Sequence, residues 1–443
     1  MIGAGAAGIL AALFAARAGR TVVLVESTKD GGRKILISGG GRCNVLPAVA
    51  QPGRYVTESS SNLLRKILLS WPLREQVEFF EHELGQKLDL EEESGKLFPS
   101  SNRARDVRDG LLARVRAAGA DIWFEARMTG LAAIAESDRV QRTARWRVEL
   151  AQGPPVDAGA VILATGGLSV PATGSDGVGL SVVQALGHTV HDTYPALTPL
   201  TAQPPVHADL AGVSLEVTVR APGTRPRFEA TGGFLFTHRG YSGPVVLDAS
   251  HLAVRSRMAG GRQELTVQWT AEDRETWEAL LRGTQRVTGI PVSKGAIGTP
   301  AIQRSTGTFA TAATVTALLR RRLPTRLADR LVQEAGVAPA CPLSQLTKVG
   351  RTALVRLLTE YPLPWSGDEG YKKAEVTGGG VALSEVHPGS LESRLHPGLF
   401  LCGEILDAFG PIGGHNFLWA WATGRAAGLG AARSVLAESS DGI

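Results

Sequence analysis

The first two dozen positions are dominated by small and apolar residues, and their pattern predicts a glycine turn, a helix and a strand. Residues 3–8 form the turn. Residues 9–18 are rich in Ala and Leu, which are good helix formers, and Gly19 ends the helix. Thr21-Val22-Val23-Leu24-Val25 is an unbroken apolar run of the kind buried in a parallel sheet. Such a unit normally has a strand of about five residues before the turn. Only Met1 and Ile2 stand there, so a mis-assigned chain start is expected in preference to a fragment.

Residues 29–44 are a glycine-rich loop, and helical patterns follow at about 61–70, 74–85 and 103–118. Alternating strands are expected over 121–150. Ala160-Val161-Ile162-Leu163-Ala164 reads as a buried strand ending in Thr165-Gly166-Gly167. Residues 190–270 carry many prolines and Thr/Val pairs with little helical periodicity, which predicts a β-rich insert. Residues 272–360 turn helical, with leucine-rich stretches at 314–323 and 343–359. The strand Leu399-Phe400-Leu401-Cys402 then leads into Gly403-Glu404, and a last helix is expected over 416–436. The implied class is α/β: a discontinuous Rossmann-like dinucleotide domain, 1–190 with 371–443. A β-rich insert domain, 191–271 with 345–370, and a small helical domain, 272–344, interrupt it. A length of 443 residues suits two or three domains.

Charge narrows the partners. The net +5 comes from 47 basic and 42 acidic residues with no run of five like charges, so no nucleic-acid stripe is visible and no nucleic-acid partner is expected. Cys43, Cys341 and Cys402 form no Cys-x-x-Cys pair and no disulfide framework, which fits a reducing compartment. The apolar run 9–16 is shorter than the roughly 20 residues a bilayer needs, and no basic segment precedes it. A soluble, cytoplasmic protein with no membrane partner is expected.

The chemistry begins at Gly3-x-Gly5-x-x-Gly8, with Ala6 and Ala7 inside the motif. Only glycine lets the backbone turn so tightly and approach a pyrophosphate, and the helix that follows offers free N–H groups and a positive dipole end. Glu26 closes the following strand, where an acid accepts from ribose hydroxyls. The motif alone leaves FAD and NAD both open. Two later segments add contacts that an elongated FAD needs: the strand ending at Thr165 and Gly166, and the strand ending at Gly403, where the acids Glu404 and Asp407 follow and could hold ribityl hydroxyls. Gly413-Gly414-His415-Asn416 then opens a helix whose positive end could face a flavin pyrimidine ring. Together these favour FAD. Cys43 has no nearby redox partner and reads as structural. His238 reads as a turn residue. Ser242 lies in Gly-Tyr-Ser-Gly, which is not a nucleophile elbow. The histidines lack ligand spacing, so no metal site is expected.

At these motifs the sequence resembles the BaiN-like family of NAD(P)/FAD-dependent oxidoreductases, also called aminoacetone-oxidase-like flavoproteins. The likeness runs through Ile-Ser-Gly-Gly-Gly-Arg-Cys-Asn (37–44), Leu-Phe-Pro-Ser-Ser (97–101) and Ala-Thr-Gly-Gly-Leu-Ser-Val-Pro-Ala-Thr-Gly-Ser (164–175). It continues through Leu-Phe-Thr-His-Arg-Gly-Tyr-Ser-Gly-Pro (235–244), Thr-Gly-Gly-Gly-Val (377–381), Cys-Gly-Glu-Ile-Leu-Asp (402–407) and Gly-Gly-His-Asn (413–416). The resemblance implies an FAD-binding domain carrying a β-barrel-like insert and a small helical domain. It implies that Arg33, Lys34, Ser38 and Asn44 lie along the flavin and its phosphates, and that Met128 offers backbone contacts to adenine. Two features depart from the family pattern: the short strand before Gly3, and histidine at 415. The expected function is FAD-dependent hydride transfer with a small organic substrate, by reduction of an enone-like carbon–carbon bond or oxidation of a small amine. NAD(P)H is the candidate reductant, visiting the cleft beside the insert, because no second glycine fingerprint follows a strand. The rivals are a flavoprotein that modifies or binds RNA, a non-catalytic flavin carrier, and an NAD dehydrogenase without flavin.

Overall fold

The computed structural model describes residues 1–139, 144–283 and 314–440, the last six of these by backbone alone. The chain divides into two compact units, Met1–Ala196 with Tyr371–Ile443, and Leu197–Gly370.

The first unit is built on a parallel sheet. Helix α1 (Ala6–Arg17) follows the glycine turn, and strand β1 (Val23–Val25) follows α1. A short helix α2 (Arg33–Ile37) comes next. The later strands are β2 (Asp121–Trp123), β3 (Val161–Leu163) and β4 (Leu399–Leu401), and the closing helix is α3 (His415–Ser440). β1 pairs with β2 and β3 with β4, all parallel. Ile2 bridges the two pairs, parallel to Val25 on one side and to Leu163 on the other. Ile2 N–H donates to the Ile162 carbonyl, and Gly3 N–H donates to that of Val25. Residues 1–3 therefore lie between β1 and β3 in the sheet. β3 and β4 are buried throughout, which is why they read as continuous apolar runs. α1 and α3 pack face to face through small residues: a Cβ on Gly424 would stand 2.3 Å from the Ala7 carbonyl oxygen, and one on Gly428 would stand 2.4 Å from that of Ala11.

The second unit holds a seven-stranded antiparallel sheet made from 361–362, 266–268, 214–221, 228–236, 240–242, 200–201 and 367–368, in that spatial order. The helix Pro244–Met258 lies inside the stretch expected to be strand-rich. Proline at its first position favours helix initiation. Its buried positions, among them Val245, Val246, Ala249, Ala253 and Val254, spread too widely for a clear amphipathic stripe, so the 3.6-residue signal is weak. The described helices of 272–344 share one hydrophobic core with this sheet, through Trp277, Leu318 and Leu331 against Val267 and Trp269. Residues 284–313 of that expected domain lie outside the described residues.

Along the sequence the positive excess looks dispersed, but divided by units it is concentrated. Residues 197–370 carry 20 Lys and Arg against 14 Asp and Glu, leaving 27 against 28 for the rest. Among the described residues no helix is long and apolar enough to cross a membrane.

Candidate functional site

The site grows from the glycine turn. Gly3 has φ +96°, a conformation other residues rarely adopt, and a Cβ on it would stand 2.5 Å from the Ala164 carbonyl oxygen at the end of β3. A Cβ on Gly8 would stand 1.8 Å from the Gly3 carbonyl oxygen. The turn thus closes only with glycine at both ends. Gly5 caps α1, and a Cβ there would meet nothing within 4 Å, so the space before the helix is open. The amides of Ala6, Ala7 and Gly8 fall in the first helical turn and have no intrahelical acceptor. They and the helix dipole make an anion site, and no acidic side chain occupies that turn.

Glu26, 6% exposed, ends β1 beneath this turn. Its Oε2 accepts from the Ala4 N–H at 2.7 Å and its Oε1 from the Thr28 N–H at 2.7 Å. The carboxylate ties the turn to β1 through bonds to backbone amides. The Glu26 carbonyl accepts from the Ala126 N–H, which brings the neighbouring Met128 to the same end of the sheet. Met128 is buried and opens the strand Met128–Ala133.

The loop after β1 reaches the turns that follow β3 and β4. Arg33 Nε donates to Asp30 at 2.8 Å, and its Nη1 donates to the Ala172 carbonyl at 3.0 Å. Lys34 Nζ donates to Ser169 Oγ at 2.6 Å and to Glu404 Oε2 at 2.5 Å. Ser38 Oγ donates to the Ile35 carbonyl, and the Ser38 carbonyl accepts from the Cys43 N–H. Asn44 packs beside Gly39, whose Cβ would stand 3.1 Å from the Asn44 nitrogen. Cys43 is fully buried, and burial pushes its thiol up to about 12, with a Ser38 hydrogen bond acting in the opposite direction. It is an inert packing residue.

The other strand ends arrive at the same place. Thr165 and Gly166 follow β3, beside Gly3, and the Thr165 hydroxyl oxygen is buried without a partner. Gly403 follows β4, and its Cβ would stand 2.9 Å from that of Ala7 in the first turn of α1. Glu404 comes next, joined to Lys34. Three strand ends, at Gly3, Thr165 and Gly403, thus converge on one helix N-terminus.

The last expected residues are tied into the fold. Asp407 is 1% exposed, and its Oδ2 accepts from Thr57 Oγ1, from the N–H groups of Glu58 and Ser59, and from Ser59 Oγ. That oxygen secures the 57–59 turn. Asn416 clamps Gly410, with its Oδ1 accepting from the Gly410 N–H and its Nδ2 donating to the Gly410 carbonyl. Gly413 and Gly414 have φ +109° and +93° and lead into α3, which His415 begins. His415 is 5% exposed, its Nδ1 is buried without a partner, and burial, helped by the charge of Arg54, lowers it to about 4. Tyr55 donates its hydroxyl to the His415 carbonyl at 2.7 Å. Ser169, Thr377, Thr57 and Ser59 carry no signal of a site role in the sequence. Ser169 and Thr377 stand within glycine-rich motifs, but nothing in their spacing shows that they meet.

The HI0933-like protein Rossmann domain matches residues 1–430. The chain belongs to this family. A ribosomal RNA dihydrouridine synthase of Escherichia coli is 31% identical over 430 residues, 96% of this chain and 95% of that protein. A 3-dehydro-bile acid delta(4,6)-reductase of Clostridium scindens is 31% identical over 435 residues, 98% of each. A solved structure, a 3-ketosteroid-delta4-(5alpha)-dehydrogenase of Rhodococcus jostii, has a TM-score of 0.47 at 15% identity, over 97% of this chain and 95% of that one. As a member of the HI0933-like family, the protein is an FAD-dependent oxidoreductase with a Rossmann-like α/β domain. The donor set fits the cofactor: an unobstructed helix N-terminus and two glycines that hold space a Cβ would fill.

Proposed function

We propose that this protein adds a hydride and a proton across a carbon–carbon double bond conjugated to a carbonyl, with NAD(P)H as the electron source. FAD supplies the hydride-transfer chemistry when bound. The observation that carries the reading is the convergence of the strand ends at Gly3, Thr165 and Gly403 on the N-terminus of α1. In this reading Gly3, Gly5, Ala6, Ala7 and Gly8 seat the pyrophosphate, and Glu26 with the Met128 backbone borders the adenosine end. Arg33, Lys34, Ser38, Asn44, Thr165, Gly166, Gly403, Glu404 and Asp407 line or brace the middle, while Gly413, Gly414, His415 and Asn416 present the positive end of α3 to the ring. The reaction type draws support from the two relatives' names. Forming dihydrouridine and reducing a delta(4,6) steroid both saturate a double bond conjugated to a carbonyl.

Spectroscopy tests this directly. Purified protein is expected to be yellow, to lose flavin absorbance anaerobically on adding NADH or NADPH, and to regain it on adding a cyclic enone. Colourless protein that stays colourless with FAD refutes the reading. Flavin reduction by small amines, with none by NAD(P)H, reverses its direction.

A polyanionic substrate is the second reading. It is favoured by the positive excess of residues 197–370 and by the ribosomal RNA named for one relative. New dihydrouridine in unmodified ribosomal RNA, with no turnover of small enones, would select it.

A further inference from the structure

The carboxylate of Glu404 does not stand free, as an acceptor for ribityl hydroxyls would. Its Oε2 accepts from Lys34 Nζ at 2.5 Å, and its Oε1 accepts from Ser169 Oγ at 2.6 Å and from the Thr377 N–H at 2.9 Å. Ser169 is fully buried, and its oxygen also accepts from Lys34 Nζ at 2.6 Å. Thr377 Oγ1 in turn accepts from the N–H groups of Leu168 and Ser169, at 2.7 and 3.1 Å. A single carboxylate thereby joins α2, the turn after β3, the strand Val376–Val381 and the turn after β4.

This hub sits against the anion site. Gly403, the residue before Glu404, would touch Ala7 with any added Cβ. A Cβ on Gly167 would stand 3.1 Å from Glu404 Oε1. A bare carboxylate on the residue next to the close approach of Gly403 to Ala7 would repel a pyrophosphate at the first turn of α1, and the repulsion is strong where water is scarce. Lys34 is the cation in contact with it, and the two side chains are 25% and 17% exposed.

We infer that Lys34 is a positioning residue whose ammonium masks Glu404, and that Glu404 organises the pyrophosphate end of the site instead of gripping the ribityl chain. The inference rests on FAD binding at this helix N-terminus. It goes further in giving Lys34, Ser169 and Glu404 a shared role, which is to hold α2 and the turns after β3 and β4 together at zero net charge.

FAD titrated into flavin-free protein, read by quenching of flavin fluorescence at low and high salt, tests it. Lys34→Gln is expected to weaken binding about tenfold or more at low salt, ~1.4 kcal/mol. Most of the deficit persists at high salt, because a largely buried charge is screened much less than an exposed one. Lys34→Arg keeps the charge and keeps binding. Lys34→Gln with Glu404→Gln restores binding to within about threefold of wild type, the signature of a coupled pair. Glu404→Gln alone keeps one side-chain oxygen for Ser169 and Thr377, adds no bare charge, and weakens binding less than Lys34→Gln does. Wild-type affinity in Lys34→Gln overturns the inference. So does a loss of about tenfold or more in Glu404→Gln, which a direct ribityl ligand would give. If Lys34→Gln fails to fold, the Glu404→Gln result decides. Wild-type protein that takes up no FAD overturns the cofactor reading itself, whereas a result confined to the variants concerns the masking alone.

Discussion

Gly8 faces the carbonyl of Gly3 so closely that a methyl group on it would stand 1.8 Å from that oxygen. The contact closes the turn on which the whole site is built. Overpacking of this kind costs about 1–3 kcal/mol. Gly8→Ala is therefore expected to lower the melting temperature by a few degrees and to purify without flavin. Calorimetry with a visible spectrum checks both. A yellow variant with unchanged melting would show that the turn can relax.

Asp407 carries the 57–59 turn on one oxygen that accepts four hydrogen bonds. Asp407→Ala removes the acceptor and leaves partly buried donors unmatched, at about 1–3 kcal/mol. Asp407→Asn retains a carbonyl oxygen and is expected to cost less. Chemical denaturation of the two variants should rank them in that order.

Acid should act through His415. Burial, with Arg54 adding to it, lowers His415 to about 4 in the fold, against about 6.5 in an unfolded chain. The folded state binds fewer protons in that interval. Stability from this group is complete above pH 6.5 and is lost as pH falls from 6.5 towards 4. Melting temperature and flavin retention are expected to decline together over that window, and His415→Gln should flatten the decline. His188, lowered chiefly by burial, adds in the same direction.

His188, Ser393 and Glu385 stand in the order of a hydrolytic triad, with Ser393 Oγ 3.0 Å from His188 Nε2 and His188 Nδ1 2.8 Å from Glu385 Oε2. Ser393 is 3% exposed, and its oxygen already accepts from the N–H groups of Leu395 and His396. The arrangement fastens the 385–399 loop. Ser393 is expected to stay unlabelled by a fluorophosphonate in the folded protein, and His188→Ala to cost about 2–3 kcal/mol through the unmatched partners. Rapid labelling at Ser393 would contradict this.

Thiol chemistry separates the cysteines. Burial pushes both Cys43 and Cys402 up to about 12, whereas Cys341 is partly exposed. Since the thiolate is the reactive form, one thiol per chain should react quickly with a disulfide reagent and two only on unfolding. Mass mapping should place the fast one at 341.

What the sequence determined was local. The glycine turn, α1 and the buried strands follow from backbone freedom and from apolar period within a few residues, so residues 3–8, β1, β3 and β4 were legible, as was Glu26 at the end of its strand. The helix Pro244–Met258 escaped notice because burial over a wide arc erases the amphipathic period. Tertiary structure alone decided which polar groups meet. Lys34 and Glu404 are 370 residues apart, and Asp407 holds a turn about 350 residues away. Both acids looked free in the sequence because a side chain's unmatched hydrogen-bonding capacity depends on what topology brings within 3 Å of it, and a pairing between segments so far apart leaves no period in the chain to read.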